Sequence, residues 1–148
     1  MKLWQKDKAS LVEVEKFTVG KDNELDIHLA PFDVLGSLAH TKMLESVGLL
    51  TKEELSLLEA ELKNIYQQIQ KGGFKLNEGV EDIHSQVELM LTEKLGDVGK
   101  KIHSARSRND QVLVDLKLFL RSEIEKLVGN TKDFFDLLIL QSEKYKDD

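Results

Sequence analysis

Residues 104–111 read SARSRNDQ and are preceded by GKKIH, so four fixed cations fall between Lys100 and Arg108 with no acid among them, in a chain of net charge −6. Lys100, Lys101, His103, Arg106 and Arg108 sit just ahead of a helix expected to start near Asn109. A helix amino end exposes unpaired N–H groups and partial positive charge, which favour an anion. Arginine adds planar donors that match a carboxylate or phosphate, and Ser104, Ser107 and Asn109 add neutral hydrogen bonds. No GxxxxGK[ST] cradle is present, so a small carboxylate fits better than a phosphate. The competing reading is a solvated basic loop whose arginines pair with Glu81, Asp82 or Asp110, with Asn109 serving only as a cap.

The second polar cluster is Glu81-Asp82-Ile83-His84. Asp82 and His84 are two positions apart, so on a helix they point to different sides and form no local acid–base pair. The plain expectation is acids favouring a helix amino end and a partly exposed His84. His28 and His40 read as surface or packing residues.

Composition narrows the chemistry. With no cysteine, disulfides, thiol catalysis and cysteine-ligated metals are excluded. The four histidines never fall at i, i+4 on one helix face, so no HExxH-type metal site is expected. The acidic balance argues against a general nucleic-acid binder. At 41% hydrophobic and 32% charged, the chain of 148 residues suits one core and no membrane span. The basic start MKLWQKDKAS lacks an apolar stretch of the secretory kind, which makes the cytoplasm the default compartment.

The elements that must position these groups are helical, because apolar residues recur at helical spacing and strict alternation is absent. Residues 1–30 carry the weakest pattern and read as an irregular arm. Pro31 suits a first helical turn, and Val34, Leu35, Leu38, Met43 and Val47 mark a face over 32–47 that ends at Gly48. Thr51 and Glu54 form a capping box, followed by the stripe Leu55, Leu58, Leu62, Ile65 and Ile69 over 52–70. Ile83, Val87, Met90, Leu91 and Leu95 give a third helix that stops at Gly96, and Asp97 to Ser107 reads as a connector. From Asn109 the helical period runs almost to the end, through Leu113, Leu116, Leu120, Ile124, Leu127, Phe134, Leu138 and Tyr145. Val112, Phe119, Val128, Phe135 and Leu137 widen its apolar surface. So long a helix, apolar on more than one stripe, needs partner helices from an oligomer or a larger bundle. Gly129-Asn130 is a candidate interruption. The expected organisation is all-α, with an amino-terminal helical domain over 1–108 and the start of a central bundle over 109–148.

SARSRNDQVLVDLKLFLR resembles the signature of the argininosuccinate lyase family, within the fumarase/aspartase superfamily, whose usual form at this place is a GRSRNDQ string running into a long helix. APFDVLGSLAH, MLESVGLLT, EDIHSQVE and GKKIH match in order and spacing, so the resemblance covers residues 25 to about 122. It implies a carbon–nitrogen lyase that splits argininosuccinate into arginine and fumarate. A base takes a proton from the carbon beside a carboxylate, and an acid protonates the departing guanidino nitrogen. It further implies that Arg108 and Asn109 contact substrate, that Arg106, Asp82, His84 and Asp26 belong to the same substrate-binding cleft, and that Ser107, Asp110 and Gln111, with Arg106, shape the loop beside them. The family uses no metal or organic cofactor. Its members are homotetramers on a central helical bundle, with each active site assembled from three subunits and no nucleic-acid or membrane partner.

The chain departs from that pattern in two places. Trp4-Gln5-Lys6-Asp7 stands where the family has Gly-Arg-Phe after the Trp, and the family's substrate-binding serine position falls on Asp22. The family's catalytic histidine, in a Thr-His segment, and its catalytic serine, in a Gly-Ser-Ser string, have no counterpart among residues 1–148. No catalytic residue is therefore assigned here, and this polypeptide alone is expected to be inactive. The competing function is a non-catalytic oligomerising module of the same ancestry, like the related lens crystallins.

Overall fold

The computed structural model describes residues 17, 22–77 and 79–147, which are helices and turns with no strand among them. The elements are α1 (Asp22–Asp26), α2 (Ala30–Ser46), α3 (Lys52–Gln70), α4 (Ile83–Leu95), α5 (Asp97–Lys100), a 3-10 turn (Lys101–His103) and α6 (Arg108–Lys144). The all-α expectation holds. Most of the expected irregular arm lies outside the described residues. Its last part corrects that reading, because Phe17 is helical and α1 is followed directly by the turn into α2.

Local signals fix α2 and α3. Pro31 sits in the first turn of α2, where its missing N–H costs nothing. Gly48, at φ 80°, ends the helix by turning the chain so that the Leu49 N–H reaches the Leu44 carbonyl at 2.8 Å. The Thr51 hydroxyl accepts from the Glu54 N–H at 3.2 Å, and the Glu54 carboxylate accepts from the Thr51 N–H at 3.0 Å.

The core lies between α2, α3 and α4. Leu58, Leu62 and Ile65 are fully buried against Ala30, Val34, Leu44, Ile83, Val87 and Leu91, with Ile102 closing one end. Each such side chain contributes roughly 1.5–3 kcal/mol relative to exposure. The α3 stripe is the one read from the sequence. The α2 face is not: Leu35, Met43 and Val47 are exposed, and the buried line runs Ala30, Val34, Ser37, Thr41, Leu44. Two small polar residues occupy positions where a hydrophobicity pattern looks for aliphatic ones. Thr41 satisfies its hydroxyl on the Leu38 carbonyl at 3.0 Å.

The expected connector 97–107 is also more ordered than its composition suggests. DVGK makes one helical turn, α5, which folds back on α4 so closely that a Cβ at Gly99 would lie 2.3 Å from the Leu91 carbonyl oxygen. α6 then runs 37 residues, roughly 55 Å at 1.5 Å per residue. Gly129 and Asn130 do not interrupt it, as a single glycine costs only ~1 kcal/mol in a helix. Its first turns pack on α2, where Phe119 meets Phe32 edge-on at 5.9 Å and Gly36 admits Val114. Beyond Phe119 its large apolar side chains are open, Leu127 at 65% and Phe134 at 62%. No described helix is both long and apolar enough to cross a membrane.

Gly99→Ala is expected to lower stability by about 2 kcal/mol or more, since backbone and not a flexible side chain blocks the methyl. Thermal unfolding followed by circular dichroism tests this. A melting temperature equal to wild type would mean that α5 is free to lift off α4.

Candidate functional site

The five basic groups of 100–108 do not converge. Lys100 pairs with Asp97 at 2.8 Å, Lys101 with Glu54 at 2.5 Å, and His103 stands 3.6 Å from Glu88. Arg106 turns inward and donates to the Ser37 hydroxyl at 3.2 Å. Arg108 pairs with Asp82 and donates to the Ser85 hydroxyl at 3.2 Å. Much of the charge anomaly is thus absorbed by ion pairs with other segments.

α6 begins at Arg108, one residue earlier than expected, because Ser107 and not Asn109 caps it. The Ser107 hydroxyl accepts from the Asn109 N–H at 3.0 Å, and the Asp110 carboxylate accepts from the Ser107 N–H at 2.9 Å. Ser107 and Asp110 shape the turn in this literal sense. The Asn109 side chain is exposed beside it. Ahead of the cap, Ala105 holds φ 57°, a left-handed conformation that costs a residue with a Cβ ~1–2 kcal/mol. The neighbouring Ser104 carbonyl accepts from His40 Nε2 at 2.9 Å. Burial, with the charges of Arg106 and His103, keeps the His40 pKa below its usual value despite that bond.

The amino end of α4 faces the amino end of α6. Asp82 caps α4 through the Ser85 N–H at 2.8 Å while holding Arg108, so one carboxylate serves both helix starts. Asp26, from the end of α1, accepts from the Ile83 N–H at 3.4 Å. Between these groups lies a cavity of about 490 Å³, lined on one side by Asp26, His28, Glu81, Asp82 and His84 and on the other by Val112, Leu116 and Phe119. The structure therefore brings Asp26, Asp82 and His84 together, with Arg108 attached through Asp82. It directs Arg106 and Gln111 elsewhere.

Where they go was not visible in the pattern. His84 is buried, at 5% exposed, and not partly exposed as its surroundings in sequence suggested. Its Nδ1 lies 2.8 Å from Asp33 Oδ1 and 3.6 Å from Asp115 Oδ2. Gln111 donates to the same Asp33 oxygen at 3.3 Å. Asp33 comes from α2, His84 from α4, Gln111 and Asp115 from α6. A second, smaller cavity of about 100 Å³ adjoins them, with Ser37, His40 and Arg106 in its wall. Asp33 Oδ2, Asp115 Oδ2 and Arg106 Nε are buried without a hydrogen-bond partner. Buried polar atoms beside a space of that size suit a bridging water. Asp33 and Asp115 were missed by the sequence reading, although each is an acid set in an apolar run, Phe32-Asp33-Val34 and Val114-Asp115-Leu116.

Burial alone would lower the His84 pKa, but the hydrogen bond to Asp33 and the charges of Asp33, Asp115 and Asp26 outweigh it and raise it. Burial and the charge of Asp33 push the Asp115 carboxyl up to about 7, against the pull of His84 and Arg106. Asp33, His84 and Asp115 also form the group, among the described residues, whose ligand atoms lie within 4.8 Å of one another as a metal ion would need. The Arg106 guanidinium beside them and the proton that His84 Nδ1 gives to Asp33 make this a proton-sharing cluster in character.

Both raised groups bind protons more tightly folded than unfolded, so stability should fall as pH rises. For Asp115 the loss spans the window from the usual carboxylate value near 4 to about 7, and for His84 it begins near 6.5 and continues to its raised value. Urea unfolding between pH ~5 and ~8 should show a fall of a few kcal/mol in wild type and a flatter profile in Asp115→Asn; equal slopes would refute the assignment. Ala105→Gly should relieve the left-handed strain and, after the added freedom of the unfolded chain, raise stability by up to ~1 kcal/mol. A lower midpoint in the same urea titration would contradict it.

A family model described as lyase matches residues 6–147. Among curated relatives, the chain is 64% identical over 146 residues to the argininosuccinate lyase of Parabacteroides distasonis, covering 99% of this chain and 33% of that protein. It is 62% identical to the argininosuccinate lyase of Bacteroides thetaiotaomicron, covering 98% of this chain and 32% of the relative. With the enzyme of that name from Thermotoga neapolitana it shares 44% identity over 85% of this chain and 32% of the relative. The chain spans about a third of the length of the curated relatives it matches. With a signature string, four ordered blocks and a match along nearly all of its residues, the chain belongs to this lyase family.

Proposed function

We propose that this chain contributes one edge of the active site of a carbon–nitrogen lyase that cleaves argininosuccinate into arginine and fumarate by β-elimination. The observation that carries the reading is the 61–64% identity to argininosuccinate lyases along nearly the whole chain, the SARSRNDQ signature included. The site chemistry supports it. A substrate with a guanidinium at one end and carboxylates at the other needs both signs of charge. Asp26, Glu81 and Asp82 suit the cationic end, while Arg108, the Asn109 amide and His84 suit a carboxylate.

In this reading Arg106 and Gln111 act from below, by holding the α2–α6 contact, and Ser107 with Asp110 fixes the turn that presents Arg108 and Asn109. The groups that move protons belong to segments outside these residues. No metal or organic cofactor is required by this elimination. Residues 1–108 are then the amino-terminal helical domain and 109–148 the beginning of a bundle helix. The open apolar length of α6 after Phe119 supports assembly into a homo-oligomer, a tetramer in the full enzyme, acting in the cytoplasm in arginine biosynthesis. The same open face is what a purely structural, oligomerising descendant would keep, so ligand binding separates the two functions.

Calorimetric titration with argininosuccinate and with fumarate should detect binding that Arg108→Ala weakens at least tenfold, the order expected for a lost charge-assisted hydrogen bond of ~1.5–3 kcal/mol. Absence of binding would favour the structural module. The chain by itself should release no fumarate from argininosuccinate in an absorbance assay. Turnover would overturn the placement of the proton-transfer groups outside residues 1–148.

A further inference from the structure

The large cavity poses an electrostatic difficulty. Three carboxylates, those of Asp26, Glu81 and Asp82, line it, yet a ligand with carboxylates must enter. Arg108 neutralises Asp82 and bonds Ser85 with two of its donors, and it is not one of the residues in the cavity wall. His28 is exposed, and His84 is the buried ring in the wall. The state of His84 therefore decides whether an anionic oxygen is accepted there.

An imidazole has two nitrogens, and Nδ1 of His84 is spent on Asp33 at 2.8 Å. An ionised carboxylate only accepts, so Nδ1 carries a hydrogen and Nε2 is the atom left for a group in the cavity. If the ring is neutral, Nε2 is an acceptor and repels a carboxylate; if it is an imidazolium, Nε2 donates. Around the ring stand Asp33 from α2, Asp115 and Gln111 from α6 and Asp26 from α1, while Arg106 from the preceding loop faces Asp33 and Asp115. Neither Asp33 nor Asp115 lines the large cavity, and each keeps one buried oxygen without a hydrogen-bond partner. Neither acid therefore touches a ligand in the large cavity; both line the smaller one. Opposite Nδ1, Asp33 holds the ring in one orientation and favours its cationic form, and Asp115 adds its charge when ionised.

We infer that Asp33 and Asp115 are positioning residues that fix His84 from beneath as an imidazolium whose Nε2–H is offered to a carboxylate oxygen of the ligand in the cavity. This rests on the lyase reading above for the ligand and adds the two residues that make His84 fit for it. Gln111, by donating to the same Asp33 oxygen, stops that carboxylate from rotating away. No covalent step is involved.

The test is nitrogen-15 NMR of the full chain labelled at histidine and arginine, with His84 assigned through His84→Gln and fumarate as the probe. In wild type, His84 should remain an imidazolium to a higher pH than it does in Asp33→Asn. Asp33→Glu should restore part of the difference, with circular dichroism confirming the fold. Fumarate should shift His84 Nε2 in wild type and fail to do so in Asp33→Asn. A His84 that titrates at the same pH in wild type and in Asp33→Asn overturns the inference. Fumarate that moves the Arg108 signal and leaves His84 unmoved also overturns it, and spares the lyase reading. Fumarate that moves neither removes the lyase reading and the assigned ligand together.

Discussion

The hydrogen bond between Asp33 and His84 is the constraint on which the rest depends. Both side chains are almost wholly buried, and a buried charge is tolerated only when paired and hydrogen-bonded. The pair joins α2 to α4, and Asp115 and Gln111 bring α6 to the same point. The three helices are thus registered at this point by polar geometry. Removing one partner would leave the others desolvated and unmatched, which costs more than the pair contributes when intact. Once α4 and α6 are held this way, their amino ends must face each other. Asp82 then caps one helix and binds the first residue of the next.

What could be read from the sequence follows the range of the interactions. α3 was legible because its cap and stripe act within a few residues. α4 was legible for the same reason. α2 was found, but not its buried face, since Ser37 and Thr41 occupy core positions that depend on neighbours distant in sequence. α1 and α5 are too short to show a period. α5 owes its existence to Gly99, whose missing side chain allows backbone to approach backbone.

The candidate site divides along the same line. Arg108, Asp82 and Asp26 were identified through a motif, and the structure gives their mutual geometry. The cationic run itself pointed to an anion, yet its members are mostly claimed by Asp97, Glu54, Asp82 and Glu88, none of which a local reading could assign. Asp33 and Asp115 are 82 positions apart, and only the meeting of α2 with α6 turns two isolated acids into a site for a shared proton.

The uninterrupted passage of α6 through Gly129 sets a phase relation along the molecule. Each residue of an α-helix advances the azimuth by roughly 100°, and no kink is present to reset it. The direction in which Leu138 points is therefore locked to the direction in which Arg108 points, two and a half dozen residues away. A single inserted residue near Gly129 would leave every local contact at the head intact and swing the distal apolar face by more than a quarter turn. Whatever packs on that distal face thereby specifies how the head is aimed, and length along this rod is conserved information in the geometric sense: a count of residues, not their identity.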